Sequence, residues 1–183
     1  MKKVNMISKV FGIMAVALMG FAGSAYAQPQ TSTDVATATA TIVQPILITK
    51  NTNMNFGNLS LNGGTGHTGT IILSATPTAT RANSGYLTLP ASVGTVTAAK
   101  FTVTGADAYA YNVTLPTTID LANGTHDLVL SSFTVLNATG GTSFASTLAG
   151  QEIYVGATLT ADGTEPAGVY TTATPFSVTV QYQ

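Results

Sequence analysis

The chain has 183 residues, charged residues make up only 7% of it, and cysteine is absent. Charged residues are about 25% of a typical soluble domain, so uncharged side chains must supply most of the polarity here. Threonine does this with 33 residues, and its β-branched side chain favours strands. The lack of cysteine excludes disulfides, thiol catalysis, zinc–thiolate sites and iron–sulfur clusters.

Residues 1–27 have the three-part pattern of a secretory signal peptide. A lysine-rich start precedes an apolar run at 10–23, and Ala25, Tyr26 and Ala27 form a small-x-small cleavage site. The run is too short for a membrane span, and no transmembrane span is expected after cleavage. We therefore expect export to the periplasm, the cell surface or the extracellular medium, as a mature chain of 183 − 27 = 156 residues.

The charge of the mature chain excludes two classes of partner. It retains three cationic residues, Lys50, Arg81 and Lys100, and seven acidic residues, which gives a net charge of 3 − 7 = −4. No basic stripe is present to neutralise phosphates, so nucleic-acid binding is not expected. Attraction to an anionic membrane surface is not expected either.

Alternating apolar and polar residues predict strands along most of the mature chain. After a loose polar leader at 28–34, an Ala-Thr alternation begins and is interrupted by Pro45. Asparagine and glycine predict loops at 51–69, and small residues predict a turn region at 76–84 and a loop at 137–150. In chain order, the predicted strands are 35–43, 46–48, 70–74, 86–89, 100–104, 109–115, 127–136, 152–160, 168–170 and 176–182.

These short strands predict one antiparallel, immunoglobulin-like β-sandwich over residues 35–183, with no helix. The clearest hairpin joins 100–104 to 109–115 through a four-residue turn, and further turns are expected at Asn123-Gly124 and Asp162-Gly163. Residues predicted to be buried on facing sheets are Phe101, Val103, Tyr111, Val113, Ile153, Val155, Phe176 and Val178.

The sequence has little catalytic potential. His67 lies in a glycine-rich stretch, and His126 is at a strand start beside Asp127; a catalytic base needs a rigid setting and a partner. Asp162 and Glu165 could be drawn as calcium ligands, but a turn fits better because the acidic density of a calcium loop is missing. We expect no catalytic residue, no metal and no organic cofactor, and so no enzyme.

Two alternatives concern aromatic residues. Tyr109, Tyr111 and Phe101 could stack on a glycan, but their period-two spacing favours core packing. The last strand carries an unbroken apolar row that ends on a penultimate aromatic residue. This row, the C-terminal row, is Phe176, Val178, Val180 and Tyr182.

The C-terminal row resembles the last strand of chaperone–usher pilins. The resemblance implies a periplasmic chaperone or self-association as partners. Two departures stand out: those pilins place a glycine nearer the terminus than Gly168, and many have a disulfide.

Seven short stretches recur in order along most of the mature chain: 38–46, Phe56-Gly57, Arg81 before Gly85, 99–105, 111–116, 155–159 and 167–170. In these stretches the mature chain resembles the DUF4402 family of secreted proteins. The resemblance implies a surface or periplasmic β-domain, with a fimbrial role among the options, and supplies no catalytic residue.

Two functions follow from these patterns. The first is a pilin-like structural subunit, assembled by strand complementation, in which 33–43 is donated to a neighbour. Its core-facing side would be Ala36, Ala38, Ala40 and Ile42. The alternative is a self-contained binding module whose loops at 51–69 and 137–150 recognise a glycan or a surface partner. The rival interpretation of 33–43 is that it is simply the first strand of its own sandwich.

Overall fold

The computed structural model describes residues 30–183, and this part of the chain is all β, with no helix. It therefore contains no helix that could cross a membrane. Residues 41–183 form one compact unit, and residues 30–40 are described separately. The strands are β1 Leu47–Thr52, β2 Ser60–Leu61, β3 Gly69–Leu73, β4 Arg81–Gly85, β5 Leu87–Thr88, β6 Ala99–Thr104, β7 Tyr111–Thr114, β8 Thr118–Asn123, β9 His126–Asn137, β10 Gln151–Ala161, β11 Thr171–Thr172 and β12 Thr179–Tyr182.

The eight-stranded main sheet is organised around β10. Its order is β1-β6-β10-β9-β8-β11, and β3 pairs with both β10 and β4. The first half of β10 pairs with β6, whereas its second half pairs with β3. One edge of β10 is thus shared by β6 and β3. This divides the sheet into two wings, one on the side of β1 and β6 and the other on the side of β3 and β4.

A bulge and a glycine mark the division between the wings. The register between β10 and β9 shifts between Gly156 and Thr158, and Ser132 on β9 has a φ of 49° there. Such a bulge bends a strand and increases its twist. A Cβ on Gly156 would lie 2.2 Å from the Leu73 carbonyl oxygen. The backbone at the end of β3 therefore lies so close to β10 that position 156 requires glycine.

Each wing is covered by a two-stranded sheet, which makes the fold a β-sandwich. β7 and β12 pack on the wing formed by β1, β6, β10 and β9, and their apolar side chains share one core cluster. β2 and β5 pair with each other, and Leu87 of β5 joins the core cluster of the other wing.

The predicted core corresponds to the cluster between the small sheet of β7 and β12 and the main sheet. Five of the eight residues, Phe101, Val103, Tyr111, Ile153 and Val155, are buried there. The other three are half-buried and pack against it; they are Val113, Phe176 and Val178. The small sheet therefore covers this core less completely than the main sheet does.

The predicted hairpin of 100–104 with 109–115 is wrong in its pairing, although both strands exist. β6 pairs with β1 and β10, whereas β7 pairs with β12 in the other sheet. The loop around Ser146 separates them: Gly105 N–H donates to the Thr147 carbonyl, and Tyr111 N–H donates to the Phe144 carbonyl. Alternation identifies strands, but it does not say whether a four-residue turn stays within one sheet.

Other differences concern short or polar strands. β4 occupies part of the predicted turn region at 76–84, and β8 lies where no strand is predicted. The predicted strand at 168–170 is absent, and β11 forms just after it. β4 reads Arg-Ala-Asn-Ser-Gly and forms by pairing with β3, a non-local partner that composition does not reveal.

The alternating segment at 35–43 is not a strand in the structure. Residues 30–46 have no assigned secondary structure, and residues 30–45 are exposed. The expectation that this segment is the first strand of its own sandwich is therefore wrong for the chain as described, because period-two patterning alone supplies no hydrogen-bond partner. The predicted signal peptide lies outside the described residues.

Candidate functional site

The C-terminal row faces the core, as its alternation predicts. Its four side chains are half-buried and pack against the cluster that contains Phe101 and Val103, while Ser177, Thr179 and Gln181 are exposed between them. The ring of Phe176 lies 5.5 Å from that of Phe133 on β9. The row is thus one wall of the sandwich, and it is covered only in part.

Two unpaired strand edges lie on the same side of this sandwich. β1 is the last strand of the main sheet, and β12 is the last strand of the small sheet. β1 and β12 contact each other, and the opposite edge of β7 is held by a bridge between Ala110 and Ala145. Within residues 30–183, no strand pairs with the outer edge of β1 or of β12. We call these two edges, with the half-buried side chains between them, the open side.

Apolar side chains line the open side. Ile46, just before β1, and Ile48 on β1 approach from one edge, and Val180 and Tyr182 approach from β12; all four are half-buried in the same cluster. Unpaired N–H and C=O groups next to partly covered apolar surface are a template for an added strand. The open side can therefore accept backbone hydrogen bonds and apolar side chains together.

The penultimate tyrosine ties the open side to the start of β1. The Tyr182 hydroxyl accepts a hydrogen bond from Ala106 N–H at 2.7 Å and donates one to the Gln44 carbonyl at 3.0 Å. A Cβ on Gly105 would lie 2.2 Å from this hydroxyl, so a side chain at position 105 would displace the Tyr182 hydroxyl. Pro45 and Ile46 alone separate Gln44 from β1, so Tyr182 joins the end of β12 to the residues just before β1.

The residues of the candidate donor face are exposed. Ala36, Ala38 and Ala40 are exposed in the segment described by itself, and Ile42 in the compact unit is 98% exposed. Both the alternating segment and the C-terminal row can be recognised in the sequence. The roles of Gln44 and Gly105 cannot, because the contacts of Tyr182 with them join positions far apart in the chain.

The other candidates from the sequence have structural contacts. The carboxylate of Asp162 accepts hydrogen bonds from the backbone and the hydroxyl of Thr164, which lower its pKa. Glu165 accepts from the backbone N–H groups of Asp162 and Gly163. Both carboxylates therefore stabilise the turn, and residues 30–183 contain no group of three His, Asp or Glu side chains placed to hold a metal.

The histidines and the aromatic residues are also accounted for by packing. The His67 ring stacks on Tyr86 with a centroid distance of 4.1 Å, and His126 pairs with Asn123 in the hairpin of β8 and β9. Phe101 and Tyr111 are core residues, as the preferred alternative predicted, whereas Tyr109 is 44% exposed and lies beside Tyr182.

One titratable cluster lies on the outer face of the main sheet. Lys100 forms an ion pair with Glu152, and the Tyr154 hydroxyl donates to the same carboxylate at 2.7 Å. The hydrogen bond from Lys100, followed by that from Tyr154, lowers the pKa of Glu152, and the hydrogen bond to Glu152 raises the pKa of Lys100. Burial raises the pKa of Tyr154. Each oxygen of this carboxylate is used within the cluster, which is the arrangement of a structural cross-strand contact.

Comparison with known proteins identifies the family alone. Neither the curated proteins nor the solved structures include a match to this chain. A family model described as "Domain of unknown function (DUF4402)" matches residues 46–182, from the residue before β1 to the end of β12. The resemblance seen in the sequence is thereby confirmed, and the chain belongs to the DUF4402 family.

Proposed function

We propose that this protein is an exported structural subunit that assembles into pilin-like fibres at the cell surface by strand complementation. The observation that carries the proposal is the open side, where two unpaired edges flank partly covered apolar residues. The same chain carries an exposed alternating segment that is in no strand. A subunit with both a strand acceptor and a strand donor can form a heterologous contact, which builds a fibre when the rotation between neighbouring subunits does not close into a ring.

The free energy of such a contact can be estimated from the residues involved. Burying Ile42 contributes about 1.5–3 kcal/mol, and each alanine methyl contributes about 0.8 kcal/mol. Each backbone hydrogen bond adds about 0.5–1.5 kcal/mol net. The cost of ordering the donor segment, about 1–2 kcal/mol per residue for the backbone, opposes these gains. The small alanine side chains therefore predict a modest contact, for which a periplasmic chaperone would be needed to protect the open side before assembly.

Electron microscopy of sheared surface material tests this function. We expect thin fibres that an antibody against the chain labels along their length. Cells with the coding sequence deleted are the control and should lose these fibres. Surface material that contains the chain only as monomers would contradict the proposal.

One observation supports the alternative of a binding module. A shallow depression of about 380 Å³ lies beside the loop at 137–150 and is lined by Asn137, Ala138, Thr139, Gly150, Gln151 and Glu152. Amide and carboxylate groups can hydrogen-bond sugar hydroxyls. A glycan screen tests this function: binding that Glu152→Gln weakens while the melting temperature stays unchanged would support it, and binding that this substitution leaves unchanged would exclude this depression as the site.

A further inference from the structure

Hydroxyl side chains are concentrated in the segment that precedes β1. Residues 31–41 carry six of them, at Thr31, Ser32, Thr33, Thr37, Thr39 and Thr41. We propose that this segment is O-glycosylated by a glycosyltransferase that uses a phosphate-activated sugar, with Thr37, Thr39 and Thr41 as the main acceptors. The modification goes beyond the fibre function and does not depend on it.

An accessible backbone separates this segment from other exposed threonines of the chain. Residues 30–46 have no assigned secondary structure, and residues 30–45 are exposed. A transferase must hold its acceptor as an extended chain in a cleft, which a backbone outside any sheet allows. Thr118, Thr171 and Thr179 are also exposed, but they lie in β8, β11 and β12. Their backbones are paired with a neighbouring strand, which opposes binding in such a cleft.

The composition of the segment is typical of O-glycosylated stretches. These stretches are rich in serine and threonine and contain proline, and Pro29 and Pro45 flank this one. Proline disfavours the helical conformation in the residue before it, so both ends are biased towards an extended chain. Alanine is the neighbour on both sides of Thr37 and of Thr39, and no bulky adjacent side chain therefore blocks these two hydroxyls.

The segment lacks the charges that usually keep an exposed, strand-forming sequence apart from its copies. Val35 is 89% exposed and Ile42 is 98% exposed, and no charged residue lies between Asp34 and Lys50. Uncharged segments with high strand propensity stack with identical segments of other chains. Sugars on the threonines would add bulk and hydration on one side of the segment and so prevent this stacking.

The modification is compatible with strand donation. In an extended chain, the threonines at 37, 39 and 41 point to one side and the alanines between them point to the other. Sugars on the threonines would therefore lie on the solvent side of a donated strand and leave its alanine side free.

Asparagine is a poorer sugar acceptor than threonine in this chain. Four Asn-x-Ser/Thr triplets occur, at Asn58, Asn112, Asn123 and Asn137. The side-chain amides of Asn58 and Asn137 donate to backbone carbonyl groups, and Asn112 and Asn123 lie in β7 and β8. A sugar on an asparagine amide would have to displace these contacts, whereas a sugar on a threonine of the exposed segment displaces no strand pairing.

The transfer itself is a substitution at the anomeric carbon of the sugar. The threonine hydroxyl oxygen attacks this carbon and forms the new C–O bond, while the bond from the same carbon to the phosphate oxygen breaks. The phosphate group leaves with the electron pair, and the hydroxyl proton passes to a basic group of the transferase. Asp34 would repel the anionic donor from the adjacent Thr33, which is why the three threonines farther along are the main acceptors.

Mass spectrometry of the mature chain, purified from the cells that naturally export it, tests the modification. We expect masses above that of the bare polypeptide by whole numbers of sugar residues, and electron-transfer fragmentation should place the added mass within residues 31–41. Alkaline β-elimination should remove it, because a sugar on a threonine oxygen is eliminated and a sugar on an asparagine amide is not. The bare mass alone, sugar on an asparagine, or sugar confined to threonines of the sandwich would each overturn the proposal.

Two combined variants test the choice of acceptor. Thr37→Val, Thr39→Val and Thr41→Val together remove three hydroxyls and keep the β-branched shape, so this variant should lose most of the added mass. The matched control combines Thr118→Val and Thr171→Val and should keep the added mass of the wild type. Circular dichroism should show the same β-structure for both variants, because none of these side chains belongs to the core clusters. Equal added mass in the two variants would overturn the assignment to these threonines.

The outcomes separate this inference from the proposed function. Fibres built from an unmodified chain would overturn the inference and leave the fibre function standing. Glycosylated chains that occur only as monomers would support the inference and contradict the fibre function.

Discussion

Replacing Phe101 with alanine perturbs the centre of the core that lies beneath β7 and β12. Phe101 lies in the middle of β6, between Lys50 of β1 and Ile153 of β10, and its side chain is 9% exposed. Removing a buried phenylalanine side chain typically costs about 3–5 kcal/mol, through lost transfer free energy and the cavity left behind. This is a large share of the 5–15 kcal/mol by which folded proteins are stable.

Urea unfolding followed by far-ultraviolet circular dichroism measures this loss on the mature chain. We expect Phe101→Ala to lower the free energy of unfolding by about 3–5 kcal/mol and the melting temperature by about 6–20 °C, at 2–4 °C per kcal/mol for a chain of this length. Val129→Ala is the control, because Val129 is on β9 of the same sheet and is 39% exposed; we expect a loss well below that of Phe101→Ala. A loss below about 1 kcal/mol for Phe101→Ala would refute the assignment of this core, given the usual cost of such a cavity.

Further predictions concern single groups. Gly156→Ala should destabilise the fold by about 1–3 kcal/mol, the usual cost of overpacking, because its Cβ would meet the Leu73 carbonyl; an unchanged urea midpoint would contradict this. Burial raises the pKa of Tyr111 from 10.0 to about 12. The neutral Tyr111 side chain therefore contributes fully to the free energy of unfolding below pH 10, and this contribution is lost as the pH rises from 10 to 12. Between pH 10 and 12, the free energy of unfolding of the wild type should therefore fall by about 2–3 kcal/mol more than that of Tyr111→Phe, at 1.36 kcal/mol per pKa unit. An equal fall for both proteins would show that Tyr111 does not cause the loss. Tyr182→Phe should cost about 1–2 kcal/mol for the lost hydrogen bonds and should speed amide exchange of Ala106, and an unchanged exchange rate would argue against the hydrogen bond. Chelator treatment should leave the melting temperature unchanged, and a fall of several degrees would point to Asp162 and Glu165 as ligands.

The sequence predicts the strands with alternating apolar residues because burial on one face leaves a period-two pattern. β6, β10 and the C-terminal row are of this kind, and the family resemblance is carried partly by them. The polar strand β4 forms by pairing with a distant strand, and its own composition carries no such signal. The same reason explains the error at the β6–β7 turn, where a loop from 144–147 separates two strands that are close in sequence.

The candidate site divides in the same way. Its apolar faces could be predicted from the sequence, since alternation marks both the 35–43 segment and the C-terminal row. The contact of Tyr182 with Gln44 could not be predicted, because its partners are 138 positions apart. The absence of a strand at 35–43 could not be predicted either, since an alternating segment pairs only where a neighbouring edge is available.

Deleting residues 28–43 and measuring the size of the assemblies tests the central claim most directly. Electron microscopy and light scattering should show fibres for the mature chain and monomers for the truncated chain. Circular dichroism should show that the truncated monomers keep their β-structure when a chaperone or a peptide of residues 33–43 is supplied. Fibres formed by the truncated chain would contradict the account, because the donated strand would then be unnecessary for assembly.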